Sequence, residues 1–388
     1  MKKFLNAFFA FIFIVSSVFA QTNPERLLKS YRDNLDLLRQ EHKNIRKMSD
    51  IKFFLFGMGD RPKMIYKDGI LKDAKTGEVK YRWNVKKEVI VPPEYTVYME
   101  NGNGKKVKIQ ENEKGIYIIE GKKKITLATS KLNLPDFKGE PYAPVLKTLH
   151  HEVLINVDNG KPVPNFMVYK KPWYRDATLM GMVLKQTGNL HVIKDWIMNI
   201  RDPFDRNNHG ISEADNPGEV LFLISLVSDR THPAVKPLLD SLKQFDNGDY
   251  IEGKTDYALH RVFQTKWIKY GLKSLGLPDR YTIPLKQDSY SSLFWWDYKE
   301  EHVEGPRFDA GSSQSYPYLV WAEDHFYGEK NGIVTDQDYP LSWEANASDA
   351  NYPGLSVLDP DLVKAKLSPP HTWHASEMFL YLIGQKSK

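Results

Sequence analysis

The chain contains no cysteine. That excludes a disulfide framework, thiolate nucleophiles, cysteine-based metal sites and a lipid-modified cysteine. Charge of one sign is also scarce: the formal balance over 388 residues is only +5. Removing Lys2 and Lys3 with a leader would lower it further. No dense Lys/Arg stripe with interleaved aromatics is present, so nucleic acid is not an expected partner. Long apolar runs are missing after the first 20 residues. There is no glycine-rich phosphate loop, no Gly-x-Ser-x-Gly elbow and no His-Glu-x-x-His pair. "DRNNHGISE" (205–213) starts like a calcium loop but places His209 at the fifth position and Asn216 where a bidentate Glu belongs. Neither a metal nor a cofactor is therefore expected.

What is present begins with "MKKFLNAFFAFIFIVSSVFA" (1–20): two lysines, an apolar run, then small residues before Gln21. This reads as a cleavable secretory signal, with an uncleaved anchor as the alternative. After cleavage no membrane contact is expected. An exported chain without disulfides points to the periplasm, or to secretion.

Three regions follow. Residues 21–50 hold one amphipathic helix, with Asn23 as cap and Pro24 in the first turn. Residues 51–141 contain short β-rich runs separated by turn signals such as Lys-Asp-Gly and Asn-Gly-Asn-Gly. They read as an antiparallel meander. From residue 142 to 388 the apolar spacing is helical, in pairs with short breaks. Repeated helical hairpins without a fixed period predict a mainly α fold: an (α/α)6-type toroid preceded by the smaller β-rich region. His150 and His151 fall inside the first of these helices, with one of the two expected to face solvent.

The polar, aromatic-rich stretches lie between helices, where function concentrates. They include "KPWYRDA" (171–177), "SEADNPGE" (212–219), "PLSWEANASDANY" (340–352) and "PPHTWHAS" (369–376). On these stretches the helical part resembles the six-hairpin glycosidase superfamily, which includes the glucoamylase-like enzymes. The resemblance implies that Arg175 and Asp176 grip sugar hydroxyls. No Trp-Glu-Glu triplet is present to name the acid.

The residues themselves suggest the same chemistry. Glycosidic hydrolysis needs two carboxyls flanking the bond, one of them protonated by a raised pKa. Glu213, Asp215, Glu344 and Asp176 are the catalytic candidates. For Asp176 an ion pair with Arg175 is the structural alternative. Asn216 is expected to cap the helix that starts at Pro217, and Glu219 to favour its positive end as a carboxylate. Trp173 and Tyr174 would wall a sugar pocket, with Arg175 and Asp176 at its rim. Trp343, Asp349, His371, Trp373 and His374 would complete the binding surface. His371 and His374 lack a third metal-ligand partner. Aromatics make up 13% of the chain, which suits either a large core or rings that stack on sugar.

The expected function is a periplasmic or secreted glycoside hydrolase acting on an oligo- or polysaccharide. A polysaccharide lyase, using His371, His374, Tyr174 and Arg175, is one alternative. A non-catalytic carbohydrate-binding protein is the other. The sequence leaves the sugar, the linkage and the oligomeric state open.

Overall fold

The computed structural model describes residues 23–44, 46–285, 338–342, 360, 364 and 370–383. The leader (1–20) and Trp343, Glu344 and Asp349 lie outside the described residues. Among the described residues no helix is long and apolar enough to cross a membrane.

Helix α1 (Pro24–Glu41) begins as its sequence directs. The Asn23 side chain accepts the N–H groups of Glu25 and Arg26 at 3.0 and 3.3 Å, satisfying two donors that the helix leaves open. Tyr31, Leu35 and Leu38 recur at helical spacing and are buried.

Two antiparallel meanders follow. The first runs β1 (Phe54–Phe56), β2 (Met64–Lys67), β3 (Ile70–Asp73) and β4 (Val79–Arg82), paired in chain order. Its central hairpin turns on Asp68 and Gly69, with φ of 47° and 73°. These left-handed values suit the mirror-image turn that matches strand twist. The second runs β5 (Val85–Val91), β6 (Thr96–Asn101), β7 (Lys106–Asn112), β8 (Gly115–Glu120) and β9 (Lys123–Thr129). In β7, Val107, Ile109 and Glu111 face inward while their neighbours face outward, the period-two pattern of a half-buried strand. Buried Glu111 accepts the N–H groups of Gly57 and Met58 and pairs with Arg61 at 3.0 Å. One carboxylate thus ties the loop after β1 to the second sheet.

The helical part contains α2 (Ala143–Ile155), α3 (Tyr174–Gln186), α4 (Lys194–Met198), α5 (Asn216–Ser225), α6 (Val235–Ser241), α7 (Arg261–Ser274) and α8 (Thr372–Ile383). Helix α8 packs on both α2 and α3; α3 in turn packs on α5, and α5 on α7. The α5–α7 contact is backbone to backbone. A Cβ on Gly218 would lie 2.4 Å from the Trp267 carbonyl oxygen, and one on Gly271 2.3 Å from that of Gly218. Only glycine lets the two helices approach this closely. A continuous apolar core runs from Tyr31 of α1 through both sheets to Leu382 of α8. The change near residue 141 is therefore a change of secondary structure within a shared core.

The mainly α toroid is overturned. The described residues form a mixed fold with four antiparallel sheets, one of five strands, and eight α-helices. Two short hairpins lie in this part: β10–β11 (Val157–Asp158 and Lys161–Pro162), directly after α2, and β12–β13 (Lys254–Thr255 and Ala258–Leu259), which falls within a stretch that reads as helix. The apolar spacing of 190–200 forms a 3-10 turn and only five residues of α-helix. Apolar spacing does not fix where an element ends, and turns within those stretches cut the helices short. His150 and His151 are both fully buried, so neither faces solvent. Each stacks on or meets core aromatics, Phe379 for His150 and Phe54 for His151.

Candidate functional site

The first turn of α3 places Arg175 and Asp176 side by side in sequence. Consecutive helical residues point in different directions, and the two enter different surroundings. Arg175 faces the start of α5 and the β12–β13 hairpin. Its Nη1 donates to Glu213 Oε2 and Asp215 Oδ2, both at 3.0 Å, and its Nη2 to Asp256 Oδ1 at 2.9 Å. The guanidinium also lies 5.6 Å from the centre of the Trp173 ring, within cation–π range. An arginine at the positive end of a helix is unfavourable alone; three carboxylates offset that.

The carboxylates are fixed in turn. Thr255 Oγ1 donates to Asp215 at 2.7 Å, and Gln264 of α7 donates to Thr255 at 3.0 Å. The Asp256 main-chain N–H donates to Glu213 Oε1 at 2.7 Å. Asn208 Nδ2 lies 3.2 Å from Asp256 and 3.4 Å from Glu213. Burial raises the Glu213 pKa despite Arg175. The Glu213 and Asp215 side chains are only 1% and 0% exposed, whereas Asp256 is 34% exposed. Of these three, only Asp256 reaches solvent to any extent.

Glu219 sits behind them on α5. Burial, then the neighbouring Asp215 charge, holds its carboxyl well above the usual range. That burial disfavours its anionic form, so Glu219 is not the open helix-end carboxylate that the sequence suggests. Nor is Asn216 the cap: Asp215 occupies that position, without a side-chain capping bond. Asn216 instead donates to Glu219 Oε2 at 3.1 Å and accepts the Asp205 N–H at 3.3 Å. Asp205 in turn accepts the N–H of Tyr174 at 2.8 Å, which ties the 205–216 loop to the start of α3.

Asp176 faces α8. Thr372 Oγ1 donates to its Oδ1 at 3.2 Å, and His371 Nδ1 lies 3.7 Å from the same oxygen. That is beyond hydrogen-bond range, and His371 Nδ1 has no hydrogen-bond partner among the described residues. Burial pushes the Asp176 carboxyl up to about 7 and the His371 imidazole down to about 4. Both groups are then neutral just below pH 7. His374 lies 5.2 Å from the His371 ring, and Tyr169 5.9 Å from it and 6.1 Å from Trp173. A chain of rings, half-buried Trp173, Tyr169, His371 and His374, thus runs from the Arg175 guanidinium to the surroundings of Asp176.

The expected arrangement is thereby altered in several places. Arg175 and Asp176 are both buried, at 3% and 2% exposure, and do not lie at a rim. Tyr174 is buried, its hydroxyl donating to the Asp202 carbonyl at 2.9 Å. Trp373 faces the core at 9% exposure. Glu213 and Asp215 share one guanidinium nitrogen, so they do not stand on two sides of a gap. Trp343, Glu344 and Asp349 lie outside the described residues.

Asp256 is the residue that sequence reasoning missed. The stretch "TDYALHRVFQTKW" reads as helix, yet 254–259 is a hairpin turning on Asp256 and Tyr257. Their φ values are 45° and 70°. Left-handed backbone is unusual for a bulky residue such as Tyr257 and costs about 1–2 kcal/mol. The flanking pairs, Lys254-Thr255 and Ala258-Leu259, have little β-propensity beyond Thr255, so the sequence carried almost no signal for this hairpin.

A separate concavity of about 720 Å³ is lined by Asp60, Glu113, Lys131, Asn133, Gly188 and His191, among others. Gly188 follows the far end of α3, about 20 Å along the helix from Arg175. Its described lining holds no aromatic ring except that of His191. Among the described residues no three carboxylate or imidazole groups are arranged to hold a metal ion. Comparison with family models, with characterised proteins and with solved structures gives no match.

Proposed function

We propose that the protein is a glycoside hydrolase that cleaves a neutral glycan by carboxyl acid/base catalysis at the first turn of α3. The observation that carries the reading is Asp176, a buried carboxyl raised to about 7 beside the His371 imidazole, whose ring in turn meets Tyr169. A carboxyl that holds its proton near neutrality can protonate a leaving glycosidic oxygen. Asp256 is the partner. It is ionisable, partly exposed and rigidly held by Arg175 and Asn208, which suits activation of a water molecule. Its charge is also among the influences that raise Asp176, so the two carboxyls share one electrostatic field.

Glu213, Asp215 and Arg175 serve in this reading as the frame that orients Asp256. Trp173 and Tyr169 supply ring faces for the sugar. In this reading Glu344 is a further catalytic candidate and Asp349 a sugar contact, the partner is a carbohydrate and the location is periplasmic or secreted.

A lyase would need a cation to neutralise a uronate carboxylate. Arg175 is committed to three protein carboxylates, and that cluster would repel an acidic sugar. This favours hydrolysis of a neutral chain.

The test is a panel of neutral and acidic glycans incubated with the protein. Release of new reducing ends from a neutral glycan is expected. Absorbance from an unsaturated uronate would make the protein a lyase. Retention of glycans without either product would leave a binding protein.

A further inference from the structure

We infer that Tyr257 is a sugar-stacking residue, held out at the tip of the β12–β13 hairpin to bind a pyranose face beside Asp256. The inference rests on the glycan-hydrolase reading and names a recognition residue for it.

Three observations converge on this ring. Tyr257 is 55% exposed, among the most open of the large apolar side chains. Nothing in core packing requires a tyrosine there. Its φ of 70°, next to 45° at Asp256, places it where asparagine or glycine sits more easily. A bulky residue in such a turn is held there by its surroundings, and such strain gathers at ligand sites.

Those surroundings are the candidate site itself. Asp256 is gripped by Arg175 and Asn208, and its N–H is bound by Glu213. The backbone that carries Tyr257 is therefore anchored next to the one carboxylate of that cluster that reaches solvent. His209, also left-handed at φ 50°, places its ring 5.8 Å away at a 50° tilt. Leu259 on the same hairpin is 50% exposed. A flat ring with an apolar flank and an imidazole beside it matches a sugar: an apolar C–H face and hydroxyls at its edge.

The test compares Tyr257→Asn and Tyr257→Trp with the wild type on the glycan that the panel identifies. Asparagine tolerates left-handed backbone but offers no ring; tryptophan keeps the ring. For Tyr257→Asn we expect KM to rise roughly tenfold, kcat to stay within about twofold, and Tm to be unchanged or higher. Tyr257→Trp should keep a KM near that of the wild type. An unchanged KM in Tyr257→Asn, or a lowered Tm accompanying its loss of affinity, would overturn the inference. If the wild type cleaves no glycan, the hydrolase reading falls and calorimetric binding decides the rest. Glycan binding lost in Tyr257→Asn would keep the stacking role, and no binding by the wild type would end it.

Discussion

Arg175 Nη1 donates to Glu213 and to Asp215 at the same distance, 3.0 Å. One nitrogen therefore joins the loop before α5 to the start of α3, and its partner nitrogen extends the link to Asp256. Breaking a buried pair by removing one member costs about 3–5 kcal/mol, because charges remain buried without compensation. For Arg175→Met we expect a loss of that size in urea unfolding. Arg175→Lys should lose less stability but fail to hold all three carboxylates, since an ammonium cannot fork between them.

The pH dependence of Asp176 has a definite sign. Its carboxyl is raised by burial from 3.8 to about 7 in the fold. The folded state therefore binds the proton more tightly than the unfolded chain. The stability this gives is full below about pH 4 and disappears as pH rises through about 7. Buried His150 and His151, lowered to about 3, act in the opposite direction, so the wild-type profile mixes both. The difference between Asp176→Asn and wild type isolates the carboxyl. Its Tm difference, variant minus wild type, should increase from pH 4 to pH 8 in calorimetry.

Helix contact at Gly271 leaves no room for a methyl group. Gly271→Ala would place a carbon 2.3 Å from the Gly218 carbonyl oxygen, and backbone cannot yield as a side-chain tip can. A loss of about 1–3 kcal/mol or more is expected from such overpacking. The same change at Gly104, where nothing lies within 4 Å of a Cβ but φ is 78°, should show only the smaller backbone penalty of about 1–2 kcal/mol. Paired denaturation curves would separate the two causes.

Glu152 organises the approach to α8. Its carboxylate accepts the N–H of Leu341 and, at 2.8 Å, that of Ser342; Ser342 Oγ then accepts the His371 N–H at 3.0 Å. Burial pushes this carboxyl up to about 7, so above that pH Glu152→Gln replaces one acceptor oxygen by a donor facing a donor. A cost of about 1–3 kcal/mol follows, measurable by urea unfolding.

Local features were the most legible in the sequence. The Asn23 cap, the Asp68-Gly69 turn and the alternation in β7 each follow from a few neighbouring residues. Arg175 and Asp176 stood out because an ion-pairing dipeptide directly preceded an apolar run. What the sequence concealed was nonlocal. The raised pKa of Glu219 depends on burial and on the Asp215 charge, not on its position in the first turn. The exposure of Asp256 depends on a two-residue hairpin hidden inside a helical apolar rhythm. The mixed fold was missed for the same reason: spacing reports which face is apolar, while the length of each element is decided by turns such as Asp256–Tyr257.

The central claim is that Asp176 delivers a proton to the leaving oxygen, and leaving-group chemistry tests it most directly. Glycosides with a nitrophenolate leaving group need little protonation. Kinetics of Asp176→Asn should show turnover of the natural glycan falling by roughly 100-fold or more, while turnover of the nitrophenyl glycoside is largely kept. Equal loss on both substrates, or none on either, would contradict the assignment.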